Sequence, residues 1–371
     1  MSNENVNKDS DIYRKLQEHL DQMPIGFPRA ESGSDIRLLK YLFTPKEARI
    51  ATFLNFGWYR DIEPLDQIFK RIKKTGIALK ELEDILDNMA KKGSIMYKRE
   101  GKKKFYGIAF LILGVYEYHV NKLTNNFLKA FNEYVGEIWD AKSNPTDYSQ
   151  MRIIPVGIDV VPENIIAPYD NVKKLIDNSE GPFVKINCVC RQDMEIQGKP
   201  CKMTKHKDNC LAIGDMAQHY IDYGWGVQIS KEETLRLLHQ NQEEGLIFRP
   251  NNAQNIDFIC SCCYCCDGGI GTLLKIPEPA IHVLSNYYAK VEPDLCTGCG
   301  TCIDRCQMGA ITQTDEISSI ERNKCIGCGN CISICPSEAI MFQKKEEQYI
   351  PPPTMDDLYD MVLTEKIKAK K

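Results

Sequence analysis

Seventeen cysteines dominate the chemistry open to this chain of 371 residues, and none precedes Cys188. Eight of them form two C-x2-C-x2-C-x3-C runs, one at Cys296, Cys299, Cys302 and Cys306, the other at Cys325, Cys328, Cys331 and Cys335. The stretch CTGCGTCIDRCQMGAI recurs 29 residues later as CIGCGNCISICPSEAI. Such a run aims three thiolates at one point from a tight turn and sends the fourth to the neighbouring site, which suits paired [4Fe-4S] clusters. The spacing predicts one cluster on Cys296, Cys299, Cys302 and Cys335 and another on Cys325, Cys328, Cys331 and Cys306. Structural zinc favours separated pairs of ligands, unlike these runs. Gly298, Gly300, Gly327 and Gly329 let backbone N–H groups approach the cluster sulfurs, one lever on potential.

Nine cysteines lie upstream: Cys188, Cys190, Cys201 and Cys210, then Cys260, Cys262, Cys263, Cys265 and Cys266. Five thiols in seven residues are hard to explain as core packing. Neighbours on a strand face opposite sides, so these five are expected to splay and reach different partners. One or two further [4Fe-4S] clusters, built from both groups, are expected. Cys190, Cys201, Cys210 and members of 260–266 are the leading ligands. The alternatives are a zinc site on Cys188, Cys190, Cys201 and Cys210, with His206 as a substitute ligand, or redox-active thiols without metal. The polar start MSNENVNKDSD has no apolar segment of a secretory signal, so a cytoplasmic location is expected. Thiols stay reduced there, and dense cysteine then reads as metal ligation, not a disulfide framework.

The rest of the chain must position these residues. It is 43% apolar and 26% charged, with net charge −4, an ordinary globular composition with no general pull toward nucleic acid or anionic membranes. The apolar run Ile108–Leu113 is too short to span a bilayer. An α+β multidomain architecture follows: an N-terminal segment (1–34), a winged-helix domain with a helical extension (35–143), a cysteine-rich α+β middle domain (144–285), a ferredoxin-like 2[4Fe-4S] domain (286–346) and a tail (347–371). Thr44 and Pro45 open a helix to about Asn55. Further helices are expected from Pro64 to Lys74 and from Leu79 to Lys92, then strands Ser94–Lys98 and Lys103–Ile108 around a basic turn. Helices over 110–122 and 124–140 and a linker at Asn144-Pro145 complete this part. The middle domain alternates apolar runs (Ile153–Ile158, Phe183–Val189, Ile256–Ile259) with helices near 169–178, 212–223 and 231–244. A short helix near 355–368 is expected to dock on a partner or wrap the ferredoxin domain.

The repeat resembles bacterial-type dicluster ferredoxins, with one departure: Gln307 stands where Pro336 stands in the second copy. The chain as a whole resembles a family of large 4Fe-4S binding proteins of anaerobes, through Leu42–Met89, Cys188–Arg191, Cys260–Cys266 and Cys296–Pro336. That resemblance implies electron transfer in an anaerobe. The chain then reads as an electron carrier, or a subunit of an anaerobic oxidoreductase, working with a flavoprotein, a dehydrogenase or another ferredoxin. No catalytic acid–base or nucleophile set stands out. Two other readings are a redox-responsive DNA-binding regulator and a reductive enzyme with an unusual upstream cluster. The third winged-helix helix carries Glu81, Glu83, Asp84 and Asp87, and a phosphate backbone repels such a face, so nucleic acid is not an expected partner.

Overall fold

The computed structural model describes residues 3–139, 149–157 and 166–369, and the side chains from residue 11 to 138 in the first of these spans. It divides into two compact units, residues 1–148 with 356–371, and residues 149–355. The expected linker at Asn144-Pro145 lies outside the described residues.

In the first unit, Thr44 caps the helix Pro45–Ala51 reciprocally with Glu47, satisfying two otherwise orphaned N–H donors. Helices Leu65–Ile72 and Leu79–Lys92 follow. Three strands, β1 (Glu63–Pro64), β2 (Ile95–Glu100) and β3 (Lys103–Ile108), pair antiparallel in the order β1-β3-β2. Leu82, Leu86 and Met89 bury one stripe of the helix Leu79–Lys92, as its spacing requires. On its other side Lys104 from β3 bridges Glu83 and Asp87, at 2.9 and 2.6 Å, and the Tyr106 hydroxyl also donates to Asp87. The N-terminal helix Asn3–Leu20 packs on its neighbours through Tyr13, whose hydroxyl donates to the Phe43 carbonyl, and through the Arg14–Asp35 pair.

The helix expected over 110–122 does not form. Ile112 is extended and Leu113 sits at φ 63°, so Leu111–Val115 makes one irregular turn. A left-handed leucine interrupts any right-handed helix. The helix Asn125–Trp139 follows it. His119 is buried there, donating to the Val115 carbonyl and stacked on Phe127 at 4.1 Å. Burial pushes its pKa down to about 4. A histidine depressed in this way stabilises the fold above the unfolded value near 6.5. That contribution disappears as pH falls toward 4, on the order of 3 kcal/mol in all. Hydrogen exchange of Asn125–Trp139 is therefore expected to accelerate between pH 6.5 and 4, and His119→Phe is expected to flatten that profile.

The second unit is built on a five-stranded antiparallel sheet, order β6-β4-β5-β8-β7, from β4 (Phe183–Ile186), β5 (Cys210–Ile213), β6 (Gly226–Ile229), β7 (Ile247–Pro250) and β8 (Phe258–Cys262). Helices Val172–Asn178, Val189–Ile196, Gly214–Asp222 and Lys231–Glu243 accompany it. Residues 152–157 are buried and form no strand, but Arg152 and Ile154 N–H groups donate to the Pro250 and Phe248 carbonyls of β7; residue 158 lies outside the described residues. Two small ladders follow: β9 (Tyr287–Val291) with β12 (Ile340–Lys344), and β10 (Ile311–Thr314) with β11 (Ile317–Ile320).

The middle and ferredoxin segments, expected as separate domains, form one unit. Ile153, Ile247 and Ile270 share a core with Met308, Ala310 and Ile326. Arg305 and Asn330 donate to carbonyls of the 242–246 turn. The tail divides as well. Pro352 and Pro353 carbonyls accept from Gln254 and Asn255 in the second unit. The helix Met355–Ala369 instead belongs with the first unit, where Tyr359 stacks on Phe110 at 4.3 Å and Arg60 pairs with Asp360. Its buried face, Leu358, Tyr359 and Val362, finds its aromatic partners Trp58 and Phe110 in the first unit.

Candidate metal centres

All seventeen cysteines are free thiols, and they gather in four sets within the second unit. Cys296, Cys299, Cys302 and Cys335 line one pocket with Ser318 and Ser337. This outer set contains three cysteines of the first run and the last of the second. Ser318 N–H donates to Cys296 Sγ at 3.5 Å, and the Thr301 hydroxyl lies 2.9 Å from Cys299 Sγ. The backbone donor at Cys296 and the Thr301 hydroxyl at Cys299 lead in holding these thiols below their usual range. Cys299 is exposed.

Cys306, Cys325, Cys328 and Cys331 form an inner set. Burial first, then repulsion from Cys328, Cys325, Cys306 and the outer set's Cys302, pushes the Cys331 thiol well up, and burial raises Cys328 to about 12. Thiols so placed are costly as free anions and suit ligation by a cation. Ala289 N–H donates to Cys325 Sγ at 3.4 Å and Ala310 N–H to Cys306 Sγ at 3.3 Å, the kind of contact that tunes a cluster's potential. Gly327 has φ 73°, and a Cβ there would collide with the Tyr287 carbonyl and Ser285, so this turn requires glycine. Both sets share one apolar core with Ala289, Val291, Ile311 and Ile340.

The upstream cysteines splay as the strand alternation requires. Cys260 and Cys262, two apart on β8, pack with Ile247 against Met308 and Ile326. Cys210 opens β5 and reaches Cys260. Cys188 precedes the helix Val189–Ile196 and reaches Cys190 and Cys210, whose thiols hold it well below its usual range. These five form the third set. Arg249, paired with Asp267 at 2.7 Å, faces Cys260 and Cys262.

The fourth set is Cys201, Cys263, Cys265 and Cys266, with all four sulfurs within 4.8 Å of one another. Cys263 to Cys266 form the turn after β8. The Cys266 thiol first, and the buried Arg191 guanidinium with it, draw Cys263 down to about 6. Arg191 Nη2 lies 3.6 Å from Cys263 Sγ, and its charge also faces Cys188 and Cys210. It thus stands between the third and fourth sets. The zinc quartet expected on Cys188, Cys190, Cys201 and Cys210 is not assembled, because Cys201 sits on the loop before β5 and joins the fourth set. His206 is turned to Glu244 instead. The glycine run Gly268–Gly271 opens a short helix, where the Asp267 side chain accepts from Ile270 N–H.

Arg191 and Arg249 are the residues the sequence reading missed. A C-x-C-R tetrad was the available signal for the first; nothing near Arg249 in sequence marks it.

Gln307, the departure from proline, ties the segments together. Its side chain accepts from Tyr264 N–H at 2.8 Å and donates to the Gly245 carbonyl. Gln307→Ala is expected to cost about 1–3 kcal/mol by leaving these groups unpaired, while iron content stays unchanged. Chemical denaturation together with iron analysis measures both.

Residues 288–346 match the family model described as a 4Fe-4S dicluster domain. The repeated runs and their geometry agree with that match, and these residues are a dicluster ferredoxin domain of an iron–sulfur protein. A stretch of 28 residues is 57% identical to a "Probable ferredoxin" of Methanosarcina thermophila, covering 8% of this chain and 48% of that protein. The chain thus spans about half the length of the curated relative it matches. No solved structure matches the chain. Among the described residues no helix is long and apolar enough to cross a membrane.

Proposed function

We propose that this protein transfers electrons through a row of iron–sulfur centres. One [4Fe-4S] cluster is held by Cys296, Cys299, Cys302 and Cys335, a second by Cys306, Cys325, Cys328 and Cys331, and a third by ligands from Cys188, Cys190, Cys210, Cys260 and Cys262. When bound, such clusters supply reversible one-electron chemistry at low potential.

One observation carries the reading: cysteines of consecutive sets share apolar cores. Cys260 and Cys262 pack with Cys306, Cys325 and Cys328, and Cys306, Cys325 and Cys331 pack with Cys296, Cys302 and Cys335. Cys262 and Cys331 are buried within the row, and Cys260, Cys306, Cys325 and Cys328 are only partly exposed. Cys299 leaves the outer end exposed, where a flavoprotein, a dehydrogenase or another ferredoxin can dock. Arg249 and Arg191 offset the thiolate charge at the inner end.

We further propose that the first unit is a winged-helix scaffold or protein-docking module. Lys104 is committed to Glu83 and Asp87 and Lys98 to Glu100, which leaves an acidic helix and a partly neutralised hairpin. Duplex DNA at low salt is expected not to bind, whatever the oxidation state; redox-dependent binding would favour a regulator instead.

The test is iron and acid-labile sulfide analysis with a potentiometric EPR titration on anaerobically purified full chain. About 12 of each per chain and three reducible centres are expected. About 8 of each removes the third cluster from the proposal, and the absence of any low-potential EPR signal overturns electron transfer.

A further inference from the structure

From the spacing of its sulfurs, we infer that Cys201, Cys263, Cys265 and Cys266 bind a single zinc ion, separate from the electron-transfer row. Cys201 Sγ lies 3.7 Å from Cys263 Sγ and 3.8 Å from Cys265 Sγ. Cys265 Sγ lies 3.7 Å from Cys263 Sγ and 3.8 Å from Cys266 Sγ. A tetrahedral zinc with arms of about 2.3 Å places its sulfurs about 3.8 Å apart. A cubane inserts four irons between its thiolates and needs a wider cage. The same chain supplies the comparison: among the described residues no other group of three or more Cys, His, Asp or Glu side chains closes within 4.8 Å. Both ferredoxin quartets are therefore more open than this one.

The surroundings fit a structural ion. Leu246 is buried with Cys263 and Cys266, and Met194, Met203 and Cys190 pack against them; four cysteines supply all four positions of a tetrahedral ion, as in a structural site. The tetrathiolate would carry two net negative charges. Arg191, itself 4% exposed, meets Cys263 Sγ, and Lys202 N–H donates to Cys265 Sγ at 3.3 Å. The segment 199–209 has no helix or strand. Cys201 joins Lys202 N–H in attaching this loop to the turn after β8, which gives the ion a role: it staples a long irregular segment beside the third cysteine set.

The experiment uses the anaerobically purified full chain. Metal analysis is expected to give about one zinc per chain, and zinc-edge absorption four sulfurs at about 2.3 Å. Cys266→Ser is expected to reduce bound zinc at least fivefold with unchanged iron and unchanged EPR signals. Should that variant fail to fold, growth of wild type in cobalt provides a second measurement: a tetrathiolate Co(II) absorption spectrum is expected. Loss of about four irons from the variant, zinc absent from wild type, or cobalt in oxygen coordination would each overturn the assignment. These outcomes are separable from failure of the electron-transfer reading, which is judged on the reducible EPR signals alone.

Discussion

Replacing Cys331 with Ala is expected to remove the inner cluster, and replacing Cys299 with Ala the outer one, with different consequences for the fold. Each variant should lose about four irons per chain and one EPR signal. Cys331 is 8% exposed and lies in the core shared by both quartets. Its loss leaves three thiols, Cys306, Cys325 and Cys328, in an apolar setting without their metal. Removing one buried heavy atom adds about 0.5–1.5 kcal/mol of lost packing. Cys331→Ala should therefore end electron transfer through the row and destabilise residues 288–346. Cys299 is exposed, on a loop. Cys299→Ala should slow electron delivery to a partner by a hundredfold or more, about 3 kcal/mol in barrier, while the inner EPR signal persists. Stopped-flow oxidation of the prereduced variants by an external acceptor measures the first effect and EPR the second. Retention of both ferredoxin signals in Cys299→Ala would sink the ligand assignment.

The second large effect is expected from stripping the metals with a chelator under oxidant. The ferredoxin segment should unfold while the first unit stays folded. Its regular structure amounts to two two-stranded ladders and the five-residue helix Thr301–Arg305. Two-stranded ladders are marginal alone in water. Six cysteines stand among the residues packed in its core, so much of what fills that core is ligand. Where ligands make the core, binding energy is folding energy. Proteolysis and hydrogen exchange within 288–346 should rise at least tenfold on stripping. Residues 34–108 carry their own apolar core, including Leu38, Leu82, Leu86 and Tyr106, and should not change. Equal protection of 288–346 with and without metal would show that polypeptide packing alone holds the segment.

Much of this was legible along the chain. The two C-x2-C-x2-C-x3-C runs carry their geometry locally, because two intervening residues and a left-handed glycine suffice to turn successive thiolates toward one point. The helix at Pro45 and the strands β2 and β3 were likewise readable, since caps, stripe spacing and a turn are short-range signals. The break at Leu113 was not, because an apolar run looks alike as helix or irregular turn and only its packing decides. The course of the tail was equally hidden, since Tyr359 finds Phe110 nearly 250 residues away in sequence.

By itself the sequence determined that this is an iron–sulfur protein with a dicluster ferredoxin domain, and which cysteine runs define that domain. Tertiary structure decided how the other nine thiols divide. Cys260 and Cys262 point to one side of β8, and Cys263, Cys265 and Cys266 turn away from them. Cys201 arrives from a loop about 60 residues earlier to complete the compact quartet. Ligand spacing within a turn is set by local backbone geometry, but a site whose ligands come from separate strands, helices and loops exists only once the sheet has aligned them.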